Sequence, residues 1–181
     1  MKNKTAVLVA TWFGSGLFPS LSSGAEMGGT YGSIAALPLC WWLVRFCWSE
    51  PIVGSVIYVA VIVLVARLGL WSVPIAEKEL GPRKDERGKV RTRDQNQIVI
   101  DEVLGMLISC SVITVHPYAY TAHSLAAFTV VLILFRVFDI IKIWPANKLH
   151  ELQSAQGVLL DDVAAGMWTA FVSWMAIFSV T

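Results

Sequence analysis

Residues 98–116 read IVIDEVLGMLISCSVITVH, an apolar run with two adjacent acids, Asp101 and Glu102, near its start. The run is long enough to cross a bilayer as an α-helix, which takes roughly 17–25 residues. A carboxylate in hydrocarbon is costly unless it is paired, hydrated or bound to a metal, so acids in a membrane helix indicate a functional site. This stretch therefore predicts a transmembrane helix with a site at one end.

The composition of the whole chain agrees with a membrane protein. Of its 181 residues, 56% are hydrophobic and only 15% are charged, and the mean hydropathy is +0.63. Three further runs are long enough to cross a bilayer, at residues 52–71, 120–143 and 158–181, and a shorter apolar run covers residues 34–48. We predict an all-α polytopic membrane bundle of about four to five transmembrane helices, forming a single domain over residues 1–181. The net charge of +1 gives no indication of nucleic-acid binding.

The orientation follows from the distribution of basic residues. Residues 76–97 hold seven of the fourteen Lys and Arg residues together with five acids. The positive-inside rule places this charged loop, the lysines at positions 2 and 4, and the connector at 142–156 on the cytoplasmic side. A first segment crossing the membrane at residues 6–18 would separate the N-terminal lysines from the loop, so we expect a re-entrant or interfacial segment there.

The same N-terminal stretch also imitates a cleaved signal peptide. Gly14, Gly16 and Pro19 interrupt its apolar run. We therefore expect these residues to remain in the mature protein.

Five acids converge on this topology. Asp101 and Glu102 open a helix that leaves the cytoplasm, Asp139 closes the helix that returns, and Asp161 and Asp162 open the last helix. All five are thus predicted to lie near the cytoplasmic interface. Carboxylates without Cys or His companions suit a hard cation, above all Mg²⁺, which is often shared with substrate phosphates.

Two basic residues accompany the acids. Arg136, Asp139 and Lys142 are spaced i, i+3, i+6 and are predicted to share a helix face. The basic members can bind phosphate oxygens. The alternative is a structural ion-pair stripe, with Lys142 extending to lipid headgroups.

Residues 28–33 read GGTYGS and precede the apolar run that starts at Ile34. We predict a glycine-rich turn feeding a helix N-terminus, where backbone N–H groups and the hydroxyls of Thr30 and Ser33 can hold an anion. The alternative is a simple turn and helix cap.

Five blocks of sequence carry a resemblance to a known family. They are residues 13–17 with Pro19, 29–33 running on to Ala36 and Pro38, 99–102 with Gly105 and Met106, 135–139 with Lys142, Trp144 and Pro145, and 161–162 with Ala165 and Gly166. In this order they resemble the phosphatidylglycerophosphatase A family of bacterial membrane enzymes. The chain departs from the family's pattern at Ile143, where the family usually has Pro, and at Gly28 and Gly29, where it often has Pro before the Gly-Thr. Its segments around 20–28 and 76–97 are longer than the family's.

The resemblance implies a Mg²⁺-dependent hydrolase of the bacterial inner membrane. Its substrate would be the phospholipid phosphatidylglycerophosphate, converted to phosphatidylglycerol and inorganic phosphate near the cytoplasmic face. The metal and catalytic cluster would be Asp101, Glu102, Asp139, Asp161 and Asp162, and the phosphate would be held by Thr30, Gly32, Ser33, Arg136 and Lys142. The nucleophile, water or an aspartate, stays open.

Three other classes of protein compete with this interpretation. A cation or proton transporter would distribute its acids across the membrane, whereas these are predicted to cluster on one side. A CDP-alcohol phosphotransferase would carry further spaced aspartates on the segment that holds Asp161 and Asp162. A purely structural membrane protein leaves five costly acids unexplained.

Overall fold

The computed structural model of the protein describes residues 3–17, 28–81, 83–84, 90–91, 96–115, 124–150, 152 and 154–178. Seven α-helices lie in this described part: α1 (Lys4–Ala10), α2 (Gly28–Ser49), α3 (Pro51–Leu80), α4 (Ile100–Cys110), α5 (Ser124–Ile141), α6 (Ala146–His150) and α7 (Ala155–Phe178). Two 3₁₀ helices, Ser15–Leu17 and Ser111–Val115, follow α1 and α4. The predicted all-α class is confirmed.

The predicted charged loop at 76–97 is partly helical. α3 begins with Pro51 in its first turn, a favourable place for proline, and continues past Pro74 to Leu80. Gly81 ends it with a φ of 71°, a positive value that glycine adopts readily. Beyond it, β1 (Arg83–Lys84) pairs antiparallel with β2 (Val90–Arg91). Residues 82, 85–89 and 92–95 of the predicted loop lie outside the described residues.

The predicted four to five transmembrane helices are not confirmed among the described residues. There, α3 alone is both long and apolar enough to cross a membrane, judged by length and composition. The predicted span at 98–116 consists of α4, with 11 residues, followed by the 3₁₀ helix of five residues. Together they extend about 26 Å, a little short of the roughly 30 Å of hydrocarbon.

α4 occupies the centre of the protein. Nine of its 11 residues are buried, because it packs against α2, α3, α5 and α7. Leu104, Met106 and Leu107 lie in the core together with Phe135 of α5. The Tyr58 hydroxyl of α3 donates to the Leu107 carbonyl oxygen at 2.8 Å. The acids at the start of α4 are therefore anchored in the most enclosed part of the fold.

The N-terminal segment packs beside the beginning of α4. With seven residues, α1 extends about 10 Å, too little to cross a bilayer. The chain then turns through Trp12, Phe13 and Gly14, which have φ values of 46°, 57° and 89°. The Val99 N–H donates to the Ala10 carbonyl oxygen at 2.9 Å. This contact ties the first segment to the residue that precedes α4.

Candidate active site

Three of the five predicted acids form one compact group. Asp101 and Glu102 in the first turn of α4 and Asp162 in α7 each direct a carboxylate oxygen to a common region. These three oxygens lie within 4.8 Å of one another. Asp101 and Asp162 are buried, with 5% and 4% of their surface exposed. The structure thus brings together acids that are about sixty residues apart in sequence.

Close packing of α4 on α7 holds the three acids together. A Cβ added to Gly166 would lie 2.6 Å from the Gly105 carbonyl oxygen, so the two backbones are nearly in contact. Asp101 precedes Gly105 by four residues, and Asp162 precedes Gly166 by the same interval. The two helices therefore run in the same direction with their acids side by side, as the predicted topology requires. Asp161 and Asp162 do not open the last helix as predicted, because α7 already begins at Ala155, six residues before Asp161.

Glu102 is unusual among these acids. Its Oε2 atom is buried and has no hydrogen-bond partner among the described residues. Its Oε1 atom faces the first turn of α2, where a Cβ added to Gly29 would collide with Oε1 and with the Arg136 guanidinium. Since a buried polar atom without a partner is costly, this oxygen indicates a ligand position.

Asp139 and Asp161 are placed differently from the first three acids. Arg136 Nη1 donates to Asp139 Oδ2 at 2.6 Å, and Lys142 Nζ donates to Asp161 Oδ2. Lys142 Nζ is also 3.9 Å from Asp139 Oδ1. Asp139 and Asp161 still act electrostatically on Asp162, as does Asp101. These two acids therefore connect the three-acid group to the cations.

Lys142 does not continue the α5 face predicted for Arg136 and Asp139. α5 ends at Ile141, and Lys142 reaches the acids from the following turn with a φ of 48°. Partial burial lowers the pKa of this ammonium, but Asp161, Asp162 and Asp139 act in the opposite direction, and the pKa is raised. Lys142 therefore carries its positive charge at neutral pH.

The predicted glycine-rich turn at residues 28–33 is wrong, because α2 already begins at Gly28. Thr30, Gly32 and Ser33 lie inside the helix, and the Ser33 hydroxyl donates to the Gly29 carbonyl oxygen at 2.8 Å. That hydroxyl is thus used within its own helix. Phosphate binding by Thr30, Gly32 and Ser33 stays a prediction.

Gly29 is the site residue that the sequence reasoning missed. Its backbone lies against the side-chain ends of Glu102 and Arg136, so that a Cβ at this position would displace them. Gly29 lies one helical turn before Ser33, on the same face of α2. A helical interpretation of residues 28–33 would therefore have placed Gly29 beside the predicted site residue Ser33.

Comparison with known proteins identifies the family of the chain. A curated protein of Bacteroides thetaiotaomicron, provisionally named a phosphatidylinositol-3-phosphatase, is 28% identical over 165 residues, covering 90% of this chain and 87% of that protein. No solved structure matches the chain. Residues 8–177 match the family described as phosphatidylglycerophosphatase A. The match confirms the resemblance seen in the motifs: the chain belongs to the phosphatidylglycerophosphatase A family and is a phosphatase of a lipid phosphate.

Proposed function

We propose that the protein is a Mg²⁺-dependent phosphatidylglycerophosphatase that hydrolyses the terminal phosphomonoester to phosphatidylglycerol and inorganic phosphate. The observation that carries this proposal is the meeting of Asp101, Glu102 and Asp162 within 4.8 Å beside the cations of α5 and its following turn. Family membership supplies the reaction class. The geometry supplies the residues that can perform it.

The charge balance of the site calls for a cation. When all are ionised, the five acids outnumber Arg136 and Lys142 by three charges. A phosphate dianion approaching such a surplus of carboxylates would be repelled. The repulsion is stronger in a buried site than in water, because the effective dielectric constant there is lower. A divalent cation offsets two of the three excess negative charges, and so reduces the repulsion of the substrate phosphate.

The three-acid group fits Mg²⁺ on the chemistry of its donors. Asp101, Glu102 and Asp162 offer only oxygen ligands, which Mg²⁺ prefers, and the unpartnered Glu102 Oε2 is available to it. When bound, the cation would neutralise charge on the phosphate oxygens. We assign Asp101, Glu102 and Asp162 as its direct ligands. Asp139 and Asp161 are the adjacent acids of the cluster.

Arg136 and Lys142 hold the phosphate in this proposal. In the structure each is paired with an acid, Arg136 with Asp139 and Lys142 with Asp161. These pairs keep the two cations oriented before substrate arrives, which lowers the cost of ordering them on binding. Phosphate oxygens can then accept charge-assisted hydrogen bonds from both side chains. An acid of the cluster can accept the proton of an attacking water or attack phosphorus itself.

The surface of the helices supports a multi-pass placement in the bacterial inner membrane. The side chains of Ile52, Leu125 and Ile140 are 82%, 81% and 72% exposed, an arrangement that hydrocarbon tolerates and water disfavours. The acids lie in the first turn of α4, in the N-terminal third of α7 and near the end of α5. With the basic segments on the cytoplasmic side, this end of the bundle faces the cytoplasm.

Phosphate release from a panel of substrates tests the proposal. The purified protein in detergent is given phosphatidylglycerophosphate, phosphatidylinositol 3-phosphate, phosphatidic acid and glycerol 3-phosphate, each with and without Mg²⁺. We expect the highest kcat/KM for phosphatidylglycerophosphate. Without metal we expect no phosphate release from any of the four substrates. A preference for phosphatidylinositol 3-phosphate, the activity in the relative's name, would overturn the substrate assignment and leave the reaction class.

A further inference from the structure

Trp168 of α7 contacts the turn that carries Lys142. Its indole Nε1 donates to the Trp144 carbonyl oxygen at 3.0 Å. Its ring also stacks on Phe138 of α5, with centroids 6.4 Å apart. One side chain therefore holds both the end of α5 and the turn that follows it.

Trp168 lies on the same face of α7 as Asp161. The two residues are seven positions apart, which is two helical turns. Lys142 donates to Asp161, and Trp144 accepts from Trp168. The turn at residues 142–145 is thus attached to α7 at two points along one face.

Lys142 needs such an attachment. Its φ of 48° is in the left-handed region, which costs free energy for a residue other than glycine and persists only where the surroundings enforce it. More than half of the Trp144 side chain is exposed, so the packing of that ring does not enclose the turn. The hydrogen bond from Trp168 fixes the backbone two residues after Lys142.

We propose that Trp168 is a positioning residue that acts through the 142–145 turn to hold Lys142 ready for the substrate phosphate. This proposal rests on the phosphatase function proposed above. Loss of the indole N–H is expected to weaken substrate binding because Lys142 then has to be ordered on binding. The metal ligands, which belong to α4 and the first half of α7, keep their arrangement.

The test is a double-mutant cycle in which Trp168→Phe keeps an aromatic ring for stacking and removes the N–H donor. We expect Trp168→Phe to raise KM about two- to tenfold, the range for losing one hydrogen bond. Half-activation by Mg²⁺ is expected to stay the same. In a Lys142→Ala background, Trp168→Phe is expected to add nothing further, because the group it positions is gone. Trp71→Phe in α3, an exposed tryptophan, is the matched control and leaves KM unchanged.

Additive effects of Trp168→Phe and Lys142→Ala would overturn the proposal, since they would indicate a general structural role. A KM unchanged by Trp168→Phe would overturn it as well.

A second readout does not depend on activity. The native cysteines at 40, 47 and 110 are buried, so a thiol introduced by Ile143→Cys can be labelled selectively. We expect Trp168→Phe to speed its labelling about two- to tenfold, while Trp71→Phe has no effect. If the wild-type protein released no phosphate, the proposed function would fail, and the labelling rates would still decide whether Trp168 holds the turn. Equal labelling rates with and without Trp168→Phe would contradict the proposal.

Discussion

Gly105 of α4 and Gly166 of α7 meet where the two helices cross. A Cβ on Gly166 would be 2.6 Å from the Gly105 carbonyl oxygen, and a Cβ on Gly105 would be 2.9 Å from the Asp162 carbonyl oxygen. No larger residue fits at either position without a shift of the backbone. The separation of the two helices, and with it the spacing of their acids, is therefore set by these glycines.

Gly166→Ala should separate α4 from α7 and disturb the site. Overpacking of this kind costs about 1–3 kcal/mol of stability. The carboxylates of Asp101, Glu102 and Asp162 would move apart, so we expect a lower thermal midpoint in detergent and a higher Mg²⁺ requirement. Thermal unfolding and Mg²⁺ titration of phosphate release measure the two effects.

The control for this variant is Ala176→Val, which adds bulk at an exposed position of the same helix. It should leave both quantities near the wild-type values. A Gly166→Ala protein with unchanged midpoint and unchanged Mg²⁺ requirement would show that the close crossing does not set the geometry of the site.

Glu102→Gln should raise the Mg²⁺ concentration needed for half-activation. The substitution keeps the shape of the side chain and removes the charge of the unpartnered carboxylate. We expect turnover to fall roughly 100-fold or more, the effect of losing a preorganised electrostatic group. Isothermal titration with Mg²⁺ gives a reading independent of turnover. Glu50→Gln, an acid at the opposite end of α2, is the control, and equal Mg²⁺ affinity in the two variants would remove Glu102 from the metal site.

Lys142→Ala and Asp162→Asn should have different kinetic effects. Lys142 is assigned to the phosphate, so its loss is expected to raise KM and lower kcat with little change in the Mg²⁺ requirement. Asp162→Asn is expected to lower kcat by about 100-fold or more and to weaken metal binding. Steady-state kinetics over a grid of substrate and Mg²⁺ concentrations separates the two, after each variant is shown to be monodisperse in detergent. A well-folded Asp162→Asn enzyme with near-normal turnover would shift the assignment to Asp161 and Asp139.

The meeting of the acids could be predicted from the sequence because it depends only on helix direction. Asp101 and Glu102 lie in the first turn of one helix and Asp162 lies in the N-terminal third of another that runs the same way, so alternation of helices along the chain is enough to place them together. The pairing of Asp161 with Lys142 could not be predicted in this way. It depends on the turn after Ile141, whose left-handed residue has no signature in the sequence.

The glycine-rich start of α2 shows how packing overrides local preference. Glycine and serine favour turns over helices, and residues 28–33 were accordingly expected to form a turn. In the fold these residues are the first turns of α2, and the Gly29 backbone lies close to the side-chain ends of Glu102 and Arg136. The length of α4 was missed for a related reason, because its apolar run continues into a 3₁₀ helix that hydropathy alone does not distinguish.

The proposed orientation predicts which ends of the protein can be labelled from each side of the membrane. α2 has 22 residues and extends about 33 Å, so Glu50 at its far end lies away from the acids. Lys148 in α6 lies near the turn that carries Lys142. Cysteines introduced at these two exposed positions should react with an impermeant reagent from opposite sides of sealed vesicles, Lys148→Cys from the cytoplasmic side. Labelling of both from one side would contradict the proposed topology.

Mg²⁺-dependent release of phosphate from phosphatidylglycerophosphate by the purified protein tests the central claim most directly. The protein is stripped of metal with a chelator, assayed, and assayed again after Mg²⁺ is restored, with Glu102→Gln measured in parallel. The account predicts no release in the stripped enzyme, full recovery with Mg²⁺, and little recovery in Glu102→Gln at the same concentration. Full activity of the stripped wild-type enzyme would contradict the role assigned to the acids.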